Sequence, residues 1–223
     1  MTRQFWEARG HAIEGHDHWR YGEHLGQLMD LTEVAWLIGN VPVSVDLIVD
    51  VGCGTGWHAH RLIQYARRIL CLDQAQSMLD KVPYHRRIAT MRTSGLDNVH
   101  EQVAKRKAIT IIANGSTQYM ALNDLRAFAV IASILPAQYK TIVLKTPIAW
   151  RESHQVQRDD GYYSFYRTLT ETLLPFHAAG FELVAVQPTW SIDNLSYEQL
   201  TEVECDPRRR QMWITMRKHE NSI

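Results

Sequence analysis

Short apolar runs alternate with stretches of helical periodicity from about residue 45 onward, the pattern of βαβ units around a mostly parallel sheet. The first such run, Leu47-Ile48-Val49-Asp50-Val51, is apolar on both faces and predicts a central strand. It leads into Gly52-Cys53-Gly54-Thr55-Gly56, and the inward spacing of Leu62, Ile63 and Ala66 then predicts a helix from Trp57 to Arg67. A second strand, Ile69 to Leu72, ends at Asp73. A short helix through Met78 and Leu79 stops near Pro83, and a third strand covers Arg87 to Met91. Leu96 to Lys107 reads as a polar helix and Ala108 to Ala113 as the fourth strand, ending at Asn114-Gly115. Leu122, Leu125, Phe128, Ala129, Ala132 and Leu135 recur at three-and-four spacing, a core-facing helix over Ala121 to Leu135. Its Val130-Ile131 segment could pass for a strand. A parallel crossover needs about a dozen residues, however, and Pro136 to Lys140 could not supply one.

The fifth strand is Thr141 to Lys145. The polar stretch from Pro147 to Asp160 reads as a surface insertion, followed by a helix from Tyr163 to Ala179 that Pro175 kinks and Gly180 ends. Phe181 to Val186 and Met212 to Met216 complete seven strands; no helix of adequate length separates this last pair, which therefore includes an antiparallel edge strand. Residues 1–40 show no strand pattern and predict one or two helices, a lid ahead of a core over residues 41–223.

Composition adds limits. The chain is 45% hydrophobic and 22% charged, with a mean hydropathy of −0.28, an ordinary globular balance. Its 24 basic residues match its 24 acidic ones, so no global positive field draws it to nucleic acid. The run Arg208-Arg209-Arg210 reads as a solvated turn. No secretory h-region and no membrane-length apolar run occur, which predicts a cytoplasmic protein, a monomer or homodimer. Cys53, Cys71 and Cys205 lack CxxC spacing and read as reduced thiols; the histidines at 11, 16, 18 and 24 have no zinc-motif spacing, so no metal is expected.

Candidate chemistry concentrates at the glycine turn. A strand that ends in glycines and opens a helix gathers backbone N–H groups and the positive end of a helix dipole at one point, which suits a nucleotide-like ligand. Trp57 stands where a dinucleotide fingerprint needs a third glycine or small residue, which disfavours a pyrophosphate reader. The segment Asp50-Val51-Gly52-Cys53-Gly54-Thr55-Gly56, a DxGxGxG pattern, closely resembles the first motif of the class I S-adenosylmethionine (SAM) dependent methyltransferases. In weaker form the resemblance extends from about Leu47 to Arg217. It implies a Rossmann-like, doubly wound α/β fold with a seven-stranded, mostly parallel sheet and a terminal antiparallel strand, and SAM as cofactor. It implies that Asp50, Gly52, Cys53, Gly54 and Gly56 form the turn at the methionine part of SAM. Asp73, 21 positions after Gly52, stands where the family's ribose-binding carboxylate belongs, with Gln74 beside it and Met78 the candidate against adenine. Many members bind the adenine amino group with an aspartate just after the third strand. Here Gly95 and Leu96 occupy that segment, and Asp97 comes late.

Ligands of doubly wound sheets sit beyond the carboxyl ends of the strands, so Asn114, Gly115, Gln118 and Tyr119 after the fourth strand and Lys145 at the end of the fifth face the reacting methyl group. Asn114 and Gly115 complete the cofactor set. The Asn-Pro-Pro-aromatic motif of amino-methylating nucleic-acid enzymes is absent at Asn114, whereas Lys145 resembles the catalytic lysine of 2′-O-ribose methyltransferases. Candidate bases are His18, Lys145 and His154, with Trp19, Tyr21, Gln118, Tyr119, Tyr163 and Arg167 against the acceptor. The stretch from Tyr162 to Thr168 is similar to the small-molecule and sugar-modifying branch of the family. The expected function is methyl transfer to a small-molecule acceptor, at oxygen. The alternatives are a macromolecular acceptor (a protein N-terminus or an RNA ribose) and a methyltransferase-like scaffold subunit.

Overall fold

A central sheet is already implied by β1 (Val45–Val51), whose residues are buried on both faces, and a computed structural model builds that sheet around it. The structure describes residues 3–13, 23–42, 45–157, 161–189 and 209–219, with side chains at all of these except 23–30 and 209–210. Two helices precede the sheet, α1 (Arg3–Ala12) and α2 (Glu23–Asn40). After β1 come α3 (Trp57–Leu62), β2 (Ala66–Asp73), α4 (Gln76–Leu79), β3 (Ile88–Arg92), α5 (His100–Val103) and β4 (Ala108–Asn114). A 3-10 turn (Thr117–Tyr119) leads to α6 (Leu122–Ile134), β5 (Tyr139–Ala149), β6 (His154–Gln157), β7 (Tyr163–Tyr166), α7 (Leu169–Ala178), β8 (Glu182–Pro188) and β9 (Arg209–His219).

The seven-stranded sheet runs β3-β2-β1-β4-β5-β9-β8, with the first five strands parallel. β9 is antiparallel to both its neighbours. This is the doubly wound, mostly parallel α/β sheet expected, with its terminal antiparallel strand. The placement of that strand needs one correction: β9 lies between β5 and β8, so the edge strand is β8.

The two faces of the sheet bury separate cores. Val49, Leu72, Ile111 and Leu144 pack with α5, α6 and α7 on one side, while Ile48, Ile69, Cys71 and Val143 pack with Leu62 of α3 and Leu37 of α2 on the other. The C-terminal half of α2 is thus part of the core, anchored by Trp36 stacked on the buried Trp213 of β9 at 4.4 Å.

Several local expectations are overturned, most of them by tertiary pairing. The helix expected over 57–67 stops at Leu62, because Ala66 and Arg68 pair with Val45 and Leu47 of β1. The helix expected over 96–107 is one turn, α5, with Leu96 and Val99 buried in the core ahead of it. β5 continues through Pro147 to Ala149, drawn out by its register with β9, and the expected insertion contains β6, which pairs antiparallel with β7 beyond it. Tyr163 to Tyr166, expected as helix, alternates with Ser164 and Tyr166 buried, a strand period. α7 starts only after Thr168, whose hydroxyl accepts the Glu171 N–H at 3.3 Å.

No described helix is long and apolar enough to cross a membrane.

Candidate functional site

The carboxyl ends of β1, β2, β4 and β5 converge on a cleft of about 590 Å³. The turn after β1 is tied down on both sides. Gly52 and Cys53 donate their N–H groups to the Leu72 carbonyl at 2.8 and 2.9 Å, and the Ser116 hydroxyl donates to the Val51 carbonyl at 2.8 Å. Gly52 has φ +72°, and a Cβ there would stand 2.7 Å from Cβ of Ser116. Gly54, with φ +55°, is different: a Cβ there would meet nothing within 4 Å, so what requires glycine is the backbone angle and the space over the cleft.

Gly54 donates its N–H to Oδ2 of Asp73 at 3.0 Å, and Ala75 donates to Oδ1 at 2.9 Å. The carboxylate keeps acceptor capacity for a ligand. Burial pushes the Asp73 carboxyl above the usual carboxylate range, opposed by the N–H groups of Ala75, Gly54 and Gln74. Asp50 is 2% exposed, and its Oδ2 has no partner among the described residues. Burial raises it to about 6, with His58 opposing and Asp73 adding to the shift. A buried carboxylate oxygen without a donor is costly on its own and is relieved by a cationic partner.

Helix α1 closes one side. Glu7 accepts the N–H groups of Gln76 and Ser77 at 2.9 and 3.0 Å, and the Ser77 hydroxyl donates to the Glu7 carbonyl at 2.9 Å. The Ser77 and Gln76 N–H groups hold the Glu7 carboxyl down at about 2. That clamp sets Trp6 on the cleft, where its ring meets Tyr119 edge-on at 5.4 Å.

Opposite lies a buried polar cluster. Glu33 of α2, 5% exposed, pairs with the Lys145 ammonium of β5, accepts from Nδ2 of Asn114 at 2.9 Å and stands 3.3 Å from Nε2 of His58. Nδ2 of Asn114 lies 3.1 Å from Nε2 and 3.4 Å from Nδ1 of His58. All four residues line the cleft.

The structure brings together most residues named from the sequence. Asp50, Gly52, Cys53, Gly54, Asp73, Gln74, Met78, Gly95, Leu96, Asn114 and Gly115 line the cleft, as do Lys145, Gln118, Tyr119 and Tyr163. Three do not. Gly56 begins α3 behind the turn, outside the lining. His154 contacts the Tyr166 ring at 5.2 Å and the Glu152 carbonyl at 3.2 Å, away from the cleft. Arg167 is buried and donates to the carbonyls of Thr117 and Met120, so it holds the 3-10 turn in place instead of lining the cleft; burial lowers its pKa. His18, Trp19 and Tyr21 lie outside the described residues, as does Arg208. Among the described residues, no group of three His, Cys, Asp or Glu side chains could hold a metal.

Sequence reading missed Glu33 and His58. Glu33 did leave a signal: it shares a helix face with Trp36 and Leu37, three and four positions on, so a carboxylate sits on the apolar stripe. His58 stands in the first turn of the helix that the glycine turn opens, where side chains reach the strand ends.

No family model matches the chain. The protein-L-isoaspartate O-methyltransferase of Helicobacter pylori is 35% identical over 60 residues, 27% of this chain, and the match spans about a quarter (26%) of that relative's length. Geranyl diphosphate C-methyltransferase from Streptomyces coelicolor A3(2), solved with Mg2+, geranyl diphosphate and S-adenosyl-L-homocysteine, superposes with a TM-score of 0.68 at 12% identity, covering 96% of this chain and 95% of its own. The Burkholderia thailandensis 1,6-didemethyltoxoflavin-N1-methyltransferase, with bound 1,6-didemethyltoxoflavin and S-adenosylhomocysteine, gives 0.66 at 15% identity over 98% of this chain and 87% of its own. The chain has the fold of the SAM-dependent methyltransferases.

Proposed function

We propose that this chain is a SAM-dependent methyltransferase acting on a small-molecule acceptor, at oxygen. The observation that carries the reading is the joint placement of the DxGxGxG turn and Asp73: one carboxylate both holds the turn through the Gly54 N–H and faces the cleft. The residues fit the cofactor. Asp73 suits a ribose diol, Asp50 with its unpartnered Oδ2 suits the positive charge of the methionine end, and Met78 and Leu96 offer an apolar bed for a flat base. When bound, SAM supplies a sulfonium methyl, and the protein's part is to align the acceptor with it and manage the acceptor's proton.

The small-molecule reading is supported by the cleft itself. Its volume of about 590 Å³ falls within the range of roughly 300–1,000 Å³ usual for small-ligand pockets, and Trp6, Tyr119 and Tyr163 stand at it. The proteins of like fold methylate different atoms by their names, carbon in one and nitrogen in the other, so oxygen rests on the titratable groups around the acceptor end. The H. pylori relative is named for protein isoaspartate, which keeps a macromolecular acceptor as the second reading. Cytoplasmic residence and a monomeric or homodimeric state belong to the same proposal.

Isothermal calorimetry with SAM and with its demethylated product tests the cofactor. Binding of both at micromolar affinity supports the proposal, and absence of binding by the folded chain defeats it. Mass spectrometry of small hydroxylated acceptors against protein substrates separates the two acceptor classes.

A further inference from the structure

We propose that His58 is the base that takes the acceptor's proton and that buried Glu33 is its positioning residue, so that the acceptor is a hydroxyl. This rests on the methyltransferase reading of the cleft.

The argument runs by elimination within the polar cluster. Lys145 is held as a cation by its ion pair with Glu33. Asn114 does not titrate. Glu33 already faces the lysine ammonium and the Asn114 amide, which stabilise its anion and make it a poor proton acceptor. Of the four, only an imidazole exchanges a proton near neutral pH without prior rearrangement. His58 lines the cleft beside Asn114, at the carboxyl ends of β1 and β4 where a doubly wound fold presents its reacting groups.

Glu33 stands against the ring: its Oε2 lies 3.3 Å from Nε2 of His58, so the carboxylate stabilises the imidazolium, while Nδ2 of Asn114 lies 3.1 Å from Nε2 and 3.4 Å from Nδ1. In the reaction, the acceptor oxygen forms a bond to the methyl carbon while the carbon–sulfur bond breaks, its electron pair staying on sulfur. The hydroxyl proton passes to the neutral imidazole of His58. The resulting imidazolium is flanked by Glu33 of α2 and by Asp50 of β1, whose charge interacts with His58, while Lys145 of β5 is the one cation of the cluster. Glu33 is fixed for this role by its helix, since Trp36 and Leu37, three and four residues on, are locked in the core.

The test uses the full-length chain labelled with 15N. Long-range proton–nitrogen NMR of the imidazoles, assigned by loss of one resonance pair in His58→Gln, reads the titration directly and needs no acceptor. Glu33→Gln is expected to lower the His58 midpoint by about one pH unit or more. A midpoint indifferent to Glu33→Gln overturns the proposal. In parallel, SAM and a panel of phenols and sugar alcohols are assayed by release of the demethylated cofactor. His58→Gln is expected to lose about a hundredfold or more in turnover while still binding that product. Full turnover by His58→Gln overturns the base assignment alone. Failure of the wild-type chain to bind SAM defeats the methyltransferase reading, and the His58 midpoint remains readable.

Discussion

At the scale of single residues, the site depends on carboxylates whose surroundings differ. Asp73 keeps acceptor capacity toward the cleft after binding Gly54 and Ala75, so Asp73→Ala is expected to weaken SAM binding about ten- to a hundredfold, roughly 1.5–3 kcal/mol, by calorimetry. Asp50 behaves differently. Its carboxyl is raised to about 6 in the fold against an ordinary 3.8, so ionisation costs folding stability, and stability rises as pH falls from about 6 toward 4. A cationic ligand favours the ionised form. SAM affinity is therefore expected to climb as pH rises through 6, with proton release on binding below that pH, and Asp50→Asn flattens the dependence. Calorimetry at several pH values, in buffers of different ionisation enthalpy, checks this. The two glycines separate fold from function. Gly52→Ala drives a Cβ against Ser116 and lowers the melting temperature, whereas Gly54→Val leaves a largely intact core yet abolishes SAM binding, because its side chain enters the cleft at a strained backbone angle. These residues were legible as a motif. The contrast between the two glycines was not, since it depends on Ser116, which is distant in sequence.

At the scale of elements, α1 and α2 play unlike parts. α1 is held to α4 by Glu7, and that carboxyl is depressed to about 2 from 4.5. Its contribution is present above about 4.5 and is lost as pH falls through about 2. Glu7→Gln at neutral pH is expected to speed hydrogen exchange in residues 3–13 while leaving β1 and β4 unchanged, measured by exchange mass spectrometry. Deletion of residues 1–21 removes Trp6 and this clamp together. The sheet should still fold, because its strands bury their own faces; turnover should fall at least about a hundredfold through loss of water exclusion and positioning. SAM affinity should also drop, since α4 follows directly on Asp73. α2, in contrast, brings a carboxylate to the site while anchoring in the core. Helical periodicity revealed α6, and the lack of a strand pattern before residue 40 allowed for one or two helices there, but periodicity mistook Tyr163 to Tyr166 for helix. The aromatic residues there suit either period, and only pairing with β6 selected the strand.

At the scale of the whole molecule, the sheet supplies the edge on which the cleft forms, and Asp50, Asp73, Asn114 and Lys145 are carried to it by strand ends. Metal plays no part in the proposed reaction, so activity is expected to survive exhaustive chelation. Activity lost with chelator and restored by a divalent ion would point to ligands outside the described residues. The succession of strands one to five along the chain, the glycine turn and Asp73 were determined by sequence alone, because each rests on short-range chemistry: continuous apolar runs, a turn that needs glycine, a fixed spacing across one βαβ unit. The position of β9 between β5 and β8, the extension of β5 past Pro147, and the meeting of Glu33, His58, Asn114 and Lys145 were decided only by tertiary structure. Those four come from four elements separated by up to 112 positions. No local pattern records such a distance; it is fixed by which faces must be buried together once the whole chain condenses.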